Sequence, residues 1–298
     1  ITLLFSGGGG WLLAGRFLRP IDSMTRTANR ISAEHLSQRL GVSGSDDELD
    51  RLARTINDML DRIDGSVQEM RRFSADASHE LQTPLTILKG EIEVALLRQR
   101  SPAEYEQVLN SCLEEIDRIN KLVEGLLLLA RADVGALRLD LQPVDMAQLS
   151  HQLCDQLQPL ARQHGIDLHH ALLDSVVVDG DELQLQRMLM NLIDNGIKYT
   201  PAGGQVSVSV EKIAEQAVIR VQDSGPGFGA EEADKLFDRF HRAPQARQQH
   251  SKGSGLGLSI ARSIALAHHG EIRAEGEPGV GSTFSVAIPS LKPSEFRS

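Results

Sequence analysis

The sequence contains few aromatic residues, few cysteines and no excess of positive charge. Aromatic residues make up only 4 % of the chain and one of them is Trp, which favours helical bundles packed with Leu, Ile and Ala. The two cysteines, Cys112 and Cys154, fit no metal-binding spacing, so we expect buried thiols in a reducing compartment. A formal net charge of -10 argues against a nucleic-acid-binding protein, which usually has a basic surface.

The N-terminal segment is apolar but shorter than the run of about 20 residues that spans a bilayer. Residues 1–15 carry no charge, and their four consecutive glycines disfavour a buried soluble helix. No basic segment precedes them, as a signal peptide would require. Arg16 and Arg19 follow, and a basic flank is expected on the cytoplasmic side. We therefore interpret residues 1–18 as the end of a transmembrane helix.

Two helices with one apolar seam each are predicted next, because their apolar residues repeat at intervals of three and four. The first seam runs over residues 21–31 and the second over residues 49–70. Neither seam can be buried well within a single pair of short helices. We expect a second copy of the chain to cover them.

A helical hairpin follows, again with apolar residues at coiled-coil spacing over residues 81–95 and 109–130. Between these stretches, Ser101 is the expected N-cap of the second helix. Pro102 would be its first residue, and Glu104 would complete a capping box. Such a hairpin forms a four-helix bundle when it dimerises.

The rest of the chain has a mixed α/β pattern. Alternating apolar residues predict strands over residues 206–210, 217–221 and 283–288. Helical spacing predicts helices over residues 182–197 and 256–268. The predicted fold class is therefore multidomain, with α-helical regions followed by an α/β region.

The first candidate for chemistry is His79, within the sequence SHELQTP of residues 78–84. It lies about 200° around the helix from Leu81, so it should face solvent. Glu80 could hold one ring nitrogen and leave Nε2 as a nucleophile. Thr83 lies one turn later on the same face, and Pro84 removes a backbone donor. An exposed histidine by itself is most often only a surface residue.

The second candidate is a polar stripe on the helix predicted for residues 182–197. Asn191, Asn195 and Lys198 share one face. Two amide oxygens and an ammonium group suit Mg²⁺ and phosphate, because Mg²⁺ prefers oxygen ligands and shares them with nucleotides. A solvated polar face is the alternative.

Glycine clusters form the third group of candidates. Asp223 follows a predicted strand and could accept a hydrogen bond from an adenine amine, with Gly225 and Gly227 letting the backbone approach. An ordinary turn is the alternative. The sequence GSGLGL at residues 253–258 opens a helix, whose N-terminus can bind phosphate. Taken alone, it could also belong to a dinucleotide site that uses an acid such as Glu271.

Together these segments resemble the conserved boxes of bacterial two-component sensor histidine kinases, in the same order. The matching segments are HELQTPL (79–85), NLIDNGIKYT (191–200), DSGPGFG (223–229), FDRFHR (237–242), GSGLGL (253–258) and GVGSTF (279–284). The chain departs from the family at Gln82, where Arg is usual, and at Gly196, where Ala is commoner.

The resemblance implies specific roles. His79 would accept the phosphoryl group, Glu80 would act as general acid and base, and Thr83 would orient water or the regulator during dephosphorylation. The cofactors would be ATP and Mg²⁺, with Asn195 as the metal ligand. The residues expected to bind the nucleotide are Asn191, Asn195, Lys198, Tyr199, Asp223, Gly225, Gly227, Arg242, Gly253, Gly255, Leu256, Gly257 and Thr283.

The resemblance also implies the domain organisation. Residues 19–68 would form a HAMP linker, residues 69–135 a dimerisation and phosphotransfer hairpin, and residues 136–298 a catalytic ATP-binding domain with the Bergerat α/β sandwich. The implied partners are a second copy of the chain, a cognate response regulator and the bacterial inner membrane, which the N-terminal segment would enter. The HAMP and kinase domains would be cytoplasmic, and no nucleic acid would bind.

The implied function is ATP-dependent autophosphorylation of His79 and phosphotransfer to a response-regulator aspartate, with phosphatase activity toward the phosphorylated regulator. One alternative is a phosphatase-dominant or scaffold protein with weak kinase activity. Another is an ATP-driven conformational machine of the gyrase or heat-shock chaperone kind, although such proteins lack the hairpin that carries His79.

Overall fold

The computed structural model describes residues 38–42, 44, 48–241 and 254–291. The chain forms two compact units, residues 1–78 and 79–298, which we describe separately. The predicted transmembrane segment and the first predicted seam lie outside the described residues. Within the described ranges, no helix is both long and apolar enough to cross a membrane.

The first unit contains the start of helix α1 (Glu48–Leu96). Asn57 fixes the preceding segment to this helix, because its side chain accepts from the amide of Leu40 at 2.8 Å and donates to the carbonyl of Leu40 at 3.0 Å. Among the residues of this unit that the structure describes, the buried apolar ones are Leu40, Ala53 and Leu60. Most apolar residues of the predicted seam over residues 49–70 are exposed in the single chain, and Met59 is one of them.

The second unit begins with a helical hairpin, formed by the rest of α1 and by α2 (Pro102–Asp133). The predicted capping box is confirmed, with Ser101 Oγ accepting from the amide of Glu104 at 3.3 Å and Glu104 Oε2 accepting from the amide of Ser101 at 2.8 Å. Many apolar side chains of the hairpin remain exposed in the single chain. They include Leu85, Ile92, Leu109, Leu113, Ile116 and Leu127, which are between 41 % and 63 % exposed.

An α/β sandwich follows the hairpin. Its further elements are β1 (Gln142–Asp145), α3 (Met146–His164), β2 (Asp167–Leu173), β3 (Val177–Gly180), α4 (Glu182–Tyr199), β4 (Gln205–Ile213), β5 (Gln216–Asp223), a 3-10 turn (Lys235–Phe237), α5 (Gly257–Ala267), β6 (Glu271–Glu277) and β7 (Gly281–Pro289). The main sheet has the order β2-β4-β5-β7-β6, with β2 and β4 parallel and the other pairs antiparallel. Strands β1 and β3 form a separate antiparallel pair.

Side-chain alternation explains why one face of the sheet carries the helices. Val206, Val208 and Val210 of β4 are fully buried, because residues two apart point to the same face of a strand. The apolar stripe of α4, which includes Leu189 and Leu192, packs into the same core. The predicted fold class is confirmed, and so are the three predicted strands and two predicted helices of this region.

The hairpin packs against the sandwich within the second unit. Leu122, Leu128 and Leu129 of α2 belong to the core of the sandwich. At Gly125 the two helices approach so closely that an added Cβ would lie 3.0 Å from Cδ1 of Ile260 on α5. Apolar burial therefore fixes the second half of α2 beside α5.

Both cysteines are free and buried, as predicted, one in the hairpin and one in the sandwich. Cys154 of α3 is completely buried, and this burial raises the pKa of its thiol to about 12. Such a thiol is inert at neutral pH because almost none of it is ionised.

Candidate active site

A cavity of about 910 Å³ opens between the hairpin and the sandwich within the second unit. This volume lies within the usual range for small-molecule sites. Several elements line it: α1, α2, α3, α4, the segment after β5, the turn before α5, and β7. The predicted site residues among its lining are Glu80, Asn191, Asn195, Lys198, Tyr199, Asp223, Gly227, Gly255, Leu256 and Gly257.

Helix α4 presents the predicted polar stripe to this cavity. Asp181 caps the helix by accepting from the amide of Gln184 at 3.1 Å. The ammonium group of Lys198 donates to the carboxylate of Asp194 one turn earlier. The side-chain nitrogen of Asn191 is buried and has no hydrogen-bond partner among the described residues. A buried polar atom of this kind is costly unless a ligand or water satisfies it.

Asp223 lies at the end of β5 and is only 6 % exposed. Its Oδ1 accepts from the amide of Gly225 at 2.8 Å. Burial raises the pKa of the Asp223 carboxyl above its usual value, while hydrogen bonds from Gly225 and Ser282 partly oppose this rise. The cavity thus contains a strong hydrogen-bond acceptor in poorly solvated surroundings, which suits recognition of an amine on a planar base.

Two glycines allow neighbouring backbone segments to pack tightly around Asp223. Gly227 has a φ of +64°, and a Cβ added there would collide with the carbonyl oxygen of Glu277. Gly281 at the start of β7 has a φ of +148°, and a Cβ there would collide with the carbonyl oxygen of Asp223. Any other residue at either position would push the strands apart and reshape this wall of the cavity.

The N-terminus of α5 forms another wall. Gly255, Leu256 and Gly257 line the cavity there, and the amide of Phe240 donates to the carbonyl of Gly255 at 3.1 Å. Amide groups in the first turn of a helix have no intrahelical partner, so they can bind an anion. The predicted site residues Arg242 and Gly253 lie outside the described residues.

The hairpin contributes Glu80 and Pro84 to the lining, whereas His79 and Thr83 are exposed and are absent from the described lining. Thr83 Oγ1 donates to the carbonyl of His79 at 3.2 Å. Among the described side chains, no hydrogen bond or ion pair joins Glu80 to the imidazole of His79, because adjacent residues of a helix project in different directions.

Two further predicted residues do not line the cavity in the described part of the chain. Ser282 and Phe284 line it, and side-chain alternation along β7 places Thr283 between them on the opposite face of the strand. Gly225 takes part indirectly, through its hydrogen bond to Asp223.

Several residues that line the cavity were not predicted from the sequence. Ser282 pairs with Asp223 in the register of β5 and β7 and also bonds to its carboxyl. Arg118 and Lys121 of α2 bring positive charge to the hairpin side. Arg118 lies 3.3 Å from Glu115, which partly neutralises it. No local motif marks the two basic residues, because only the packing of α2 on α5 places them there.

Three family models match the chain. Residues 180–292 match the "Histidine kinase-, DNA gyrase B-, and HSP90-like ATPase" model. Residues 69–135 match the "His Kinase A (phospho-acceptor) domain" model, and residues 12–65 match the "HAMP domain" model. The cavity therefore lies between the segments that match the phospho-acceptor and ATPase models.

Among curated proteins, the sensor protein CutS of Streptomyces coelicolor is 40 % identical over 281 residues. This match covers 94 % of the chain and 67 % of CutS. The chain spans less of several other curated sensor proteins, between 56 % and 61 % of their length.

The solved structures that are similar to the chain include the following two. The Acinetobacter baumannii histidine kinase AdeS has a TM-score of 0.59 and 26 % identity, over 72 % of this chain and 98 % of that one. Full-length ShkA, solved in complex with AMPPNP, has a TM-score of 0.56 and 26 % identity, over 74 % of this chain and 46 % of that one.

Proposed function

We propose that this chain, which belongs to the two-component sensor histidine kinases, transfers the γ-phosphoryl group of ATP to His79 and then to a response-regulator aspartate. One observation carries this proposal above the others. A single cavity brings Glu80, the neighbour of His79, together with the Asn191–Lys198 stripe and Asp223. ATP use follows from the ATPase family, and AMPPNP, an ATP analogue, is bound in the related ShkA structure.

The residues around the cavity suit ATP with Mg²⁺. The Asp223 carboxylate would accept from the adenine amine, with Gly225 and Gly227 keeping the backbone close to the base. The side-chain oxygen of Asn195 would bind Mg²⁺, and Asn191, whose buried amide has no partner among the described residues, lies one turn away. Tyr199 would border the base or ribose.

The phosphates would be held by opposing walls of the cavity. Lys198 would contact them after leaving or sharing its partner Asp194, and the amides of residues 255–257 would bind them at the start of α5. Gly253 and Arg242 would complete this site, with Arg242 offsetting charge on the γ-phosphate, and Thr283 would support the wall from β7.

The transfer itself would require positioning more than covalent assistance. The lone pair of the unprotonated His79 nitrogen attacks the γ-phosphorus, and the bond to the β–γ bridging oxygen breaks to release ADP. Glu80 would take up the proton from the other ring nitrogen once a change of rotamer brings its carboxylate to the imidazole. In the second step, an aspartate carboxylate of the regulator attacks the phosphorus, and the N–P bond breaks as Glu80 returns the proton to the ring, so that neutral imidazole leaves. Thr83 would orient water for dephosphorylation.

Several further features belong to the same proposal. The domains would be residues 1–18 (transmembrane), 19–68 (HAMP), 69–135 (hairpin) and 136–298 (ATP-binding). The exposed apolar side chains of the hairpin support a homodimer. The receiver domain of a response regulator would dock beside His79, the N-terminal segment would lie in a bacterial inner membrane, and no nucleic acid would bind.

The test is incubation with γ-labelled ATP and Mg²⁺, followed by treatment of the protein with acid or alkali. We expect label that survives alkali, is lost in acid and is absent from the His79→Gln variant. The matched control is His164→Gln, an exposed histidine on α3, which should keep full labelling.

Label that persists in His79→Gln would show that another residue is the acceptor. A chain that binds ATP but acquires no label, with or without addition of a dimerising fusion, would favour the scaffold or phosphatase-dominant function.

A further inference from the structure

Three potential metal ligands meet on the sandwich, outside the large cavity. His151 and Asp155 belong to α3 and His170 belongs to β2. One ligand atom from each lies within 4.8 Å of those of the other two. None of the three lines the cavity described above.

The first two residues have the spacing that helical metal sites use. His151 and Asp155 are four residues apart and therefore share one face of α3. The same i, i+4 spacing carries the two histidines of helical zinc motifs. Nδ1 of His151 lies 3.1 Å from Oδ2 of Asp155. Both side chains are more than half exposed, so solvent leaves them room to change rotamer.

His170 reaches this pair from the sheet. It faces α3 together with Leu168, whose carbonyl accepts from Gln158 Nε2 of α3 at 2.6 Å. The register of β2 against β4 shifts immediately after His170, which is where a bulge re-aims side chains. The imidazoles of His170 and His151 stack with their centroids 4.7 Å apart.

An ordinary helical ion pair explains His151 and Asp155 but not His170. Nδ1 of His170 is buried and has no hydrogen-bond partner among the described residues. A buried ring nitrogen without a partner costs free energy, and a bound ion would remove that cost. This unsatisfied atom is an observation independent of the spacing on α3.

The three ligand atoms lie close enough together to bind one ion after small side-chain rotations. Zn²⁺ binds imidazole nitrogen and carboxylate oxygen at about 2.0–2.2 Å, so two ligand atoms that share it lie about 3.3 Å apart. The most separated pair must therefore approach by no more than about 1.5 Å, which rotation of the exposed His151 and Asp155 side chains can provide.

We propose that His151, Asp155 and His170 form a binding site for a divalent transition-metal ion of the Zn²⁺ type, which fastens α3 to the edge strand β2. Two imidazoles and one carboxylate favour such ions over Mg²⁺ or Ca²⁺, which prefer oxygen ligands alone. Water completes the coordination. Because the ion joins two elements of the folded sandwich, its binding stabilises that fold.

The experiment titrates the full chain, without a polyhistidine tag, with Zn²⁺ in calorimetry and with Co²⁺ by visible absorption. We expect one ion per chain and a rise of several degrees in the thermal midpoint with Zn²⁺. His151→Ala and Asp155→Asn should each weaken binding by at least about 10-fold, since even changes to the partners of metal ligands cost that much. His164→Ala, an exposed histidine on the same helix, should leave the affinity unchanged.

The two variants lie at exposed positions, so both should fold, and an unchanged thermal midpoint without metal checks this. His170→Ala should also lose binding. Absence of binding to the wild-type chain overturns the proposal. Binding that His151→Ala and Asp155→Asn leave unchanged also overturns it, because the ion is then adventitious and lies elsewhere. All of these readouts are independent of kinase activity.

Discussion

The helices of the hairpin and those of the α/β sandwich have the same spacing of apolar residues, but these residues are buried to very different extents. On α4 of the sandwich, Leu185, Leu189 and Leu192 are fully buried under the sheet. On α2 of the hairpin, Leu109, Leu113 and Leu127 are more than half exposed. The sandwich therefore completes its core within one chain, whereas the hairpin leaves apolar surface that another chain would have to cover.

A matched pair of leucine truncations tests this contrast most strongly. Leu189→Ala creates a cavity in the completed core and should lower the free energy of unfolding by about 2–5 kcal/mol. Leu113→Ala removes a side chain that is exposed in the single chain, and should change it by less than about 0.5 kcal/mol at low protein concentration. Urea denaturation followed by circular dichroism measures both. Equal losses in the two variants at low concentration would mean that Leu113 is buried within its own chain.

The second prediction concerns the cavity. Asn195→Ala removes the proposed Mg²⁺ ligand, and we expect autophosphorylation to fall by at least about 100-fold, the scale of losing one transition-state contact. The loss should be the same at every protein concentration, because the ligand lies within one sandwich. Asn110→Ala, an exposed change on the hairpin, should retain activity. Normal labelling of Asn195→Ala would place the metal on other residues.

The third prediction addresses the exposed side of the hairpin directly. Leu113→Glu places a charge in the apolar surface that we propose pairs two chains, and should weaken dimerisation by at least about 10-fold. Light scattering during size exclusion would then report the monomer mass of 32.6 kDa at concentrations where the wild type is twice as large. Glu124→Gln, a polar change elsewhere on α2, is the control. A wild-type chain that stays monomeric at high concentration would contradict the homodimer.

The smallest expected effect is on the stability of the sandwich without nucleotide. Burial raises the pKa of Asp223 in the folded state, so the folded protein binds the proton of this carboxyl more tightly than the unfolded chain does. The resulting contribution to the free energy of unfolding is complete below the unfolded pKa and is lost as pH rises through the folded pKa. Near neutral pH the buried carboxylate therefore opposes folding. Asp223→Asn should raise the free energy of unfolding by up to about 1 kcal/mol while weakening ATP binding.

Thermal unfolding at pH 7, with and without ATP, checks this prediction, with the exposed Asp174→Asn as control. A less stable Asp223→Asn without nucleotide would mean that the hydrogen bonds from Gly225 and Ser282 outweigh the cost of burial.

Local patterns were sufficient for the parts of the sandwich with clear periodicity. Alternating valines identified β4, and the spacing of apolar residues identified α4 and α5. Helix α3 was not predicted, although Asp145 at its N-cap and Gly165 at its end were available signals. Strands β1 and β3 contain four residues each, too few for alternation to show. Strand β6 alternates charged with apolar residues but lies at a sheet edge with little burial.

The residues of the candidate site likewise fall into those that a local motif identifies and those that only the fold brings together. The glycine turns, Asp223 and the stripe on α4 are contiguous in sequence, so their motifs could be recognised. Ser282 reaches Asp223 only through the pairing of β5 with β7. Lys121 reaches the cavity only through the packing of α2 on α5. Contacts of this kind depend on residues far apart in sequence, and no local pattern encodes them.

Pro84 has a mechanical consequence for the turn that carries His79. Proline has no amide hydrogen, so the carbonyl of Glu80 has no helical donor. Bending α1 therefore requires the least energy at this point. A side chain extends about 5–6 Å from the helix axis, so a change of about 10° in the bend displaces its tip by about 1 Å. A displacement of that size can alter the rate of a positioned reaction about 100-fold. A small bend of α1 at Pro84 could thus change the rate of phosphoryl transfer to His79.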